Sequence, residues 1–249
     1  MRAALLLAAT LLACLAPAAE PLRVFIRSGP KSHGPGCHDH PAFLREWTPL
    51  LQGMGARVEG GESPPTGEQL ARTDVVVIHR QCGADMDDGE RARLGDFARR
   101  GGGLVVIHAG IAASHPRGLD EVKDLVGGVW RPGVTRWREG PMELAIATHG
   151  HPLGRGVADF GMDDEIYYDL DLRPDIQVVA AAPTPRRRGA GPESQPQVWA
   201  YERPGAQRAF VFVPGHRHAN FSRPDVRELL IRGIGWAGRR EADFPAGPR

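Results

Sequence analysis

The chain has 249 residues, with 31 Lys and Arg against 30 Asp and Glu and a formal net charge of +1 at pH 7. So even a balance excludes the cationic surface that holds nucleic acid or an anionic membrane, and it directs attention to a small, uncharged partner. Its three cysteines are too few for a disulfide scaffold and show no zinc-cage spacing.

The N-terminus carries Arg2, an apolar run from Ala3 to Leu15, and then Ala16-Pro17-Ala18. This predicts a secretory signal over residues 1–18, too short to span a bilayer. Two other readings stand beside it: a buried N-terminal helix, and lipidation at Cys14 in Leu-Leu-Ala-Cys. The expected product is an exported, periplasmic or secreted protein. It would have one domain over residues 19–240 and a loose tail over 241–249. Cleavage leaves Cys37 and Cys82, read as two separate thiols, with a mutual bridge as the alternative.

Leu22 to Arg27 reads as a short buried strand, and Pro41 to Met54 as a helix with Phe43, Leu44, Trp47, Leu50 and Leu51 along one side. Ala56 to Glu59 is a second strand, followed by a Gly/Pro/Ser loop. The β-branched run Asp74 to His79 suits a strand buried on both faces of a parallel sheet. Asp87-Asp88-Gly89-Glu90 opens a helix that ends at Arg99-Arg100-Gly101, and Gly103 to His108 repeats the strand pattern. Two such units in succession predict an α/β, three-layer flavodoxin-like sandwich with a mainly parallel central sheet.

Further on, a short helix is expected near Asp120 to Val126 and a strand at Met142 to Ala147. An acidic turn follows at Asp163-Asp164-Glu165, before Ile166-Tyr167-Tyr168. Ile176 to Ala182, Gln197 to Glu202 and Arg208 to Val213 read as strands. Pro183 to Pro196, with Arg186-Arg187-Arg188, reads as an exposed loop, and Asp225 to Trp236 as a closing helix.

In open parallel sheets ligands bind beyond the carboxyl ends of the strands. That rule gathers scattered histidines: His33, His38 and His40 with Asp39 in the loop after the first strand, then His79, His108 and His216 at strand ends, with His218 just beyond. Each alone is as well explained by a hydrogen bond to a loop carbonyl. Together, with Glu165 available, they favour a functional cluster. Imidazole and carboxylate suit a divalent zinc, manganese or iron ion, and equally a general acid/base pair; spacing does not choose between these.

The histidine loop, Gly102-Gly103-Leu104-Val105-Val106-Ile107-His108-Ala109-Gly110, the Asp164-Glu165-Ile166-Tyr167 segment and Arg208-Ala209-Phe210-Val211-Phe212-Val213-Pro214-Gly215-His216 come in an order that resembles the ThuA-like (trehalose utilisation) family. The resemblance covers roughly Leu22 to Arg239. It implies a fold similar to class I glutamine amidotransferases and a role in carbohydrate metabolism, beside a sugar oxidoreductase that makes 3-keto sugars. It also implies a site of His38, His108, Glu165 and His216, with His33 and His40 as extras of a longer first loop and His79 less strongly supported. The turn Ile107-His108-Ala109-Gly110 holds no nucleophile, so glutaminase activity is not expected; Cys82, after another strand, is the one alternative thiol.

The functional expectation is a metal-assisted enzyme acting on a sugar or 3-keto-glycoside, with Glu165 and His108 as catalytic candidates and His38, His108, His216 and Glu165 as metal ligands. His33, His40, Asp39, His79, Trp137, Tyr167 and His218 are the substrate-facing candidates, and Trp130, Trp137, Tyr167 and Tyr168 could form a stacking wall. The rival expectation is a carbohydrate-binding accessory protein in which nothing turns over.

Overall fold

The computed structural model describes residues 20–185, 191–203 and 207–241. The expected signal segment, Cys14, Arg186-Arg187-Arg188 and all but the first residue of the expected tail lie outside them. Among the described residues no helix is long and apolar enough to cross a membrane.

The strands are β1 (Arg23–Arg27), β2 (Arg57–Gly61), β3 (Val75–Ile78), β4 (Gly103–Ile107), β5 (Gly128–Val129), β6 (Arg136–Ile146), β7 (Phe160–Tyr168), β8 (Asp171–Leu172), β9 (Gln177–Pro185), β10 (Pro192–Glu202) and β11 (Arg208–Phe212). Nine form one sheet in the order β2-β1-β3-β4-β11-β10-β9-β6-β7, and β5 and β8 pair separately. From β2 to β11 the neighbours are parallel, and from β11 to β7 they are antiparallel.

Among the described residues five α-helices cover the parallel half: α1 (His40–Gly53), α2 (Gly67–Ala71), α3 (Asp88–Arg99), α4 (Leu119–Val126) and α5 (Pro224–Ala237). The parallel strands are continuously apolar because both faces are covered. Val24, Val77, Val105 and Phe210 pack with Phe43 and Trp47 of α1 and Leu229 of α5 on one side. Phe25, Val76, Val106 and Val211 pack with Leu94 and Phe97 of α3 and Val122 of α4 on the other. This is the expected three-layer α/β sandwich.

Several expectations are corrected. The Gly/Pro/Ser loop contains α2, held by a capping box in which Thr66 and Gln69 satisfy each other's backbone N–H groups. The acidic turn at Asp163-Asp164-Glu165 is strand: it lies inside β7, paired with β6 from Arg136↔Tyr168 to Leu144↔Phe160. The strand at Met142 starts earlier, at Arg136. Much of the expected loop from Pro183 to Pro196 is the paired end of the β9–β10 ribbon. These ribbons carry polar residues on an open face, so they lack the apolar run that marked the buried strands.

The order β1-β3-β4-β11 sets the loops after four parallel strands side by side, and those loops carry His38, His79, His108 and His216. Closure of α5 over β11 depends on Gly233, where an added Cβ would stand 2.2 Å from the Phe210 ring. Gly233→Ala raises helix propensity by about 1 kcal/mol but overpacks this contact by about 1–3 kcal/mol. Net destabilisation in urea unfolding is expected, and a gain in stability would show that the contact yields.

Candidate metal centre

Four buried side chains converge: His38, His108, Glu165 and His216, each with a ligand atom within 4.8 Å of the others. They arrive on four separate chain segments. His108 sits on the sharp turn where β4 passes into a 3₁₀ turn (His108–Ile111), with φ of +52°. His38 follows β1 with φ of +43°. Left-handed backbone at non-glycine residues is uncommon and is retained where the surroundings enforce it. Here they do: the His38 N–H donates to the His216 carbonyl at 2.9 Å, and Cys37 bridges to Arg217 in an antiparallel pair. The loops after β1 and β11 are thus stitched together.

Glu165 comes from the far edge of the sheet. Strand β6 pairs with β9 only at Ala145 and Ile146, and the rest of the β6–β7 ribbon lays Glu165 and Tyr167 against His108. Asp164, fully buried beside Glu165, fixes that crossing. Its carboxylate accepts from the backbone N–H groups of Gly215 at 3.1 Å and His216 at 2.9 Å, and from the Asn220 amide at 2.7 Å.

The protonation pattern follows from the partners. His108 Nδ1 lies 2.8 Å from the Val213 carbonyl, which can only accept, so Nδ1 carries a proton and Nε2 is turned inward. That nitrogen faces His38 Nε2 at 3.0 Å, Tyr167 Oη at 3.1 Å and Glu165 Oε2 at 3.1 Å. Burial opposes ionisation of Glu165, but the imidazoles of His108 and His216 outweigh it and hold the carboxyl well below the usual range. Burial, then the neighbouring histidines, push His38 down to about 2, so it is neutral. Burial lowers His216, and Glu165 and then Glu139 more than restore it. Tyr167, kept protonated by burial and by Glu165, is the donor of the group.

A carboxylate oxygen and an imidazole nitrogen 3.1 Å apart are held together by a proton or a cation between them. His216 Nδ1, buried and without a hydrogen-bond partner, stands 3.4 Å from the same oxygen. Donors around a zinc-sized ion are about 3.4 Å apart. The set therefore fits a divalent metal in donor type and spacing.

The other expected residues divide. His33 is exposed at the rim, its ring 3.9 Å from that of His38, and partial burial followed by His216 lowers its pKa. Trp137 is 52% exposed and directly opposite Tyr167 in the β6–β7 register, so the two share a face. Trp130 meets Tyr167 edge-on at 4.6 Å, while Tyr168 is buried beneath Arg136. Asp39, expected to face substrate, instead caps α1 by accepting from the Ala42 N–H. His218 pairs with Glu46 outside the cluster. His40 donates from Nδ1 to the Pro30 carbonyl and packs against His79, itself enclosed by Phe43 and Phe221. Cys37 and Cys82 are unbridged, and burial and Asp85 push the Cys82 thiol up, away from nucleophilic use.

Three contributors escaped the sequence reading. Asp164 was read as part of a turn, although an acid just before a run of apolar residues is itself a signal of a buried role. Glu139 stands in a polar stretch with nothing to mark it. The Lys31 ammonium gathers the carbonyls of His33, Gly34 and Cys37 at 2.8–3.3 Å, giving the Gly/Pro-rich loop a template.

Fold and site together define an α/β sandwich with a three-histidine, one-glutamate centre at the ends of its parallel strands. The sequence pattern of the ThuA family, trehalose utilisation, matches residues 37–237, and the chain belongs to that family. A ThuA-like protein from Bacteroides uniformis superposes with a TM-score of 0.67 at 19% identity, over 90% of this chain and 94% of its own. Another from Parabacteroides merdae gives 0.62 at 18%, over 88% and 90%. A cytoplasmic protein from Salmonella typhimurium gives 0.59 at 14%, over 87% and 98%. No curated protein matches. Family membership suggests a carbohydrate-related role.

Asp164→Ala strands the N–H groups of Gly215 and His216, and a loss of at least about 2 kcal/mol is expected in thermal unfolding. Unchanged stability would show that the loop is held elsewhere. Acid should also destabilise the fold through His40. Burial pushes its pKa from the ordinary 6.5 down to about 4, so the unfolded chain binds the proton first and stability falls as pH drops from about 6.5 to about 4. The full effect is on the order of 3 kcal/mol. His40→Gln flattens this part of the pH–stability curve, and an unchanged curve would assign the acid sensitivity to other groups.

Proposed function

We propose that the chain is an exported, metal-assisted enzyme acting on a sugar or 3-keto-glycoside by isomerisation, elimination or hydrolysis. The observation that carries this is the convergence of His38, His108, His216 and Glu165, all buried, with ligand atoms within 4.8 Å of one another. His38, His108, His216 and Glu165 would hold the ion, which as a Lewis acid would polarise a sugar carbonyl or adjacent hydroxyls.

The remaining work falls to residues around the centre. His33, neutral and at the rim, is placed to take a proton from the carbon beside a carbonyl. The electron pair left behind can accept a proton on the neighbouring position, giving isomerisation, or expel a glycosidic oxygen, giving elimination. The Tyr167 hydroxyl donates to an oxygen in the site and orients it. Trp137 offers its flat face to the C–H surface of a sugar ring, with Tyr167 and Trp130 behind it. A keto-sugar substrate implies an oxidoreductase acting beforehand. Export rests on the apolar N-terminal run and Ala16-Pro17-Ala18.

The test is metal analysis of the purified protein, followed by incubation with glycosides and 3-keto-glycosides with and without chelator. One divalent ion per chain is expected, with turnover lost to chelator, restored by metal, and absent in His108→Ala and His216→Ala. Metal-free protein that binds sugar equally well without those imidazoles would leave the accessory-protein reading in its place. Trp137→Ala is expected to raise KM by up to about tenfold with kcat little changed, and an unaltered KM would remove Trp137 from the substrate surface.

A further inference from the structure

The loop after β1 carries both His33, at the rim, and His38, in the centre, and its backbone is uncommon. His33, Gly36 and His38 are left-handed, with φ of +65°, +74° and +43°, a conformation that non-glycine residues keep only where something enforces it. The His38 end is held from outside: its N–H donates to the His216 carbonyl at 2.9 Å, and the His218 N–H donates to the Gly36 carbonyl at 2.8 Å. Among the described residues no such bond reaches the His33 backbone from another loop. Within the loop the Ser32 N–H donates to the His38 carbonyl at 3.3 Å and the Cys37 N–H to the Gly34 carbonyl at 3.2 Å, both at the long end for such bonds.

What holds the His33 end is Lys31. Its ammonium lies 2.8 Å from the Gly34 carbonyl, 3.2 Å from that of His33, 3.3 Å from that of Cys37 and 3.5 Å from that of Ser32. Among the described residues this is the one hydrogen bond to the His33 backbone. Four carbonyl oxygens turned toward one point repel one another, and a positive charge at that point reverses the sign of the interaction. The ammonium supplies three donors, shared here among the four acceptors, and hydrogen bonds from a charged donor are stronger than neutral ones. Carbonyls gathered in this way are also the ligand set of monovalent cations. Lys31 is exposed, so a small ion from solvent can reach the cage once the side chain is removed.

We infer that Lys31 is a positioning residue: its ammonium is the built-in cation of a carbonyl cage, and its charge, rather than its stem, sets the loop that presents His33 at the rim. The consequence for turnover rests on the function proposed above, in which His33 takes a proton, whereas the cage does not.

Amide hydrogen exchange reads the cage without any substrate. In Lys31→Ala, and in Lys31→Met, which keeps a stem but no charge, the amides of Ser32, Cys37, His38 and His218 should exchange at least about tenfold faster than in wild type, with those of β4 and β11 unchanged. Ammonium or methylammonium chloride should slow them again in Lys31→Ala, and tetramethylammonium chloride at equal ionic strength, which has no N–H to donate, should not. For a 3-keto-glycoside that the wild type turns over, kcat should fall about 10–100-fold in both variants with KM less affected, and ammonium should restore it in Lys31→Ala. Wild-type exchange in both variants would overturn the cage, and faster exchange in Lys31→Ala alone would overturn it by assigning the effect to the stem. Faster exchange with kcat unchanged would overturn the positioning of His33 and leave the proposed activity intact. Faster, ammonium-reversed exchange in a protein that turns over no keto-glycoside would support the cage and remove the proposed activity.

Discussion

The contact on which the site depends is electrostatic: Nε2 of His108 faces the ionised carboxylate of Glu165 at 3.1 Å in the interior of the protein. Burial strengthens whatever charge interaction is present and penalises one left unbalanced. The Val213 carbonyl holds His108 with Nε2 turned inward, and burial keeps His38 neutral beside it. The fold thus closes a cavity lined by three imidazoles and a carboxylate.

That cavity is expensive in backbone terms, and the surrounding bonds explain its persistence. His38 and His108 both adopt left-handed backbone at about 1–3 kcal/mol each, and each is locked by contacts from another loop. Asp164 closes the circle by joining β7 to the start of the loop after β11. The cluster is therefore a meeting of four chain segments, none of which would hold its histidine or glutamate in place alone. The second row, His40 and His79, is neutral and enclosed, and its contribution is to packing beneath α1.

The rim differs in kind from the floor. Trp137, His33, Glu139 and Arg217 are solvent-accessible, mixing an aromatic face with polar and charged tips, while the floor is closed. Such a division suits a small polar ligand that presents one edge to the centre and one face to the rim. The balanced net charge of the chain agrees with it, since no long-range field favours an anionic partner.

Much of the scaffold was legible in the residues because parallel strands buried on both faces announce themselves: Val75 to Ile78 and Gly103 to Ile107 are continuous apolar runs, and the helix start at Asp87 is a local cap. The histidines could be gathered from the same pattern, since a residue ending a parallel strand must point to the sheet's carboxyl edge. Glu165 could be named only as an available acid until the family resemblance singled it out, and its strand was read as a turn. The β6–β7 and β9–β10 ribbons were blurred because their open faces are polar and their register is set by long-range pairing.

The sequence by itself determined the layer architecture and the edge on which the chemistry lies, because both follow from short-range periodicity and strand direction. Only the tertiary structure decided that a ribbon from the far end of the sheet returns to the centre with Glu165, Glu139 and Asp164. It also decided which nitrogen of each ring in the cluster faces inward. Those outcomes depend on single acceptors, such as the Val213 carbonyl, lying a few ångströms from a ring that is 105 residues away in the chain, and no local pattern encodes such a distance.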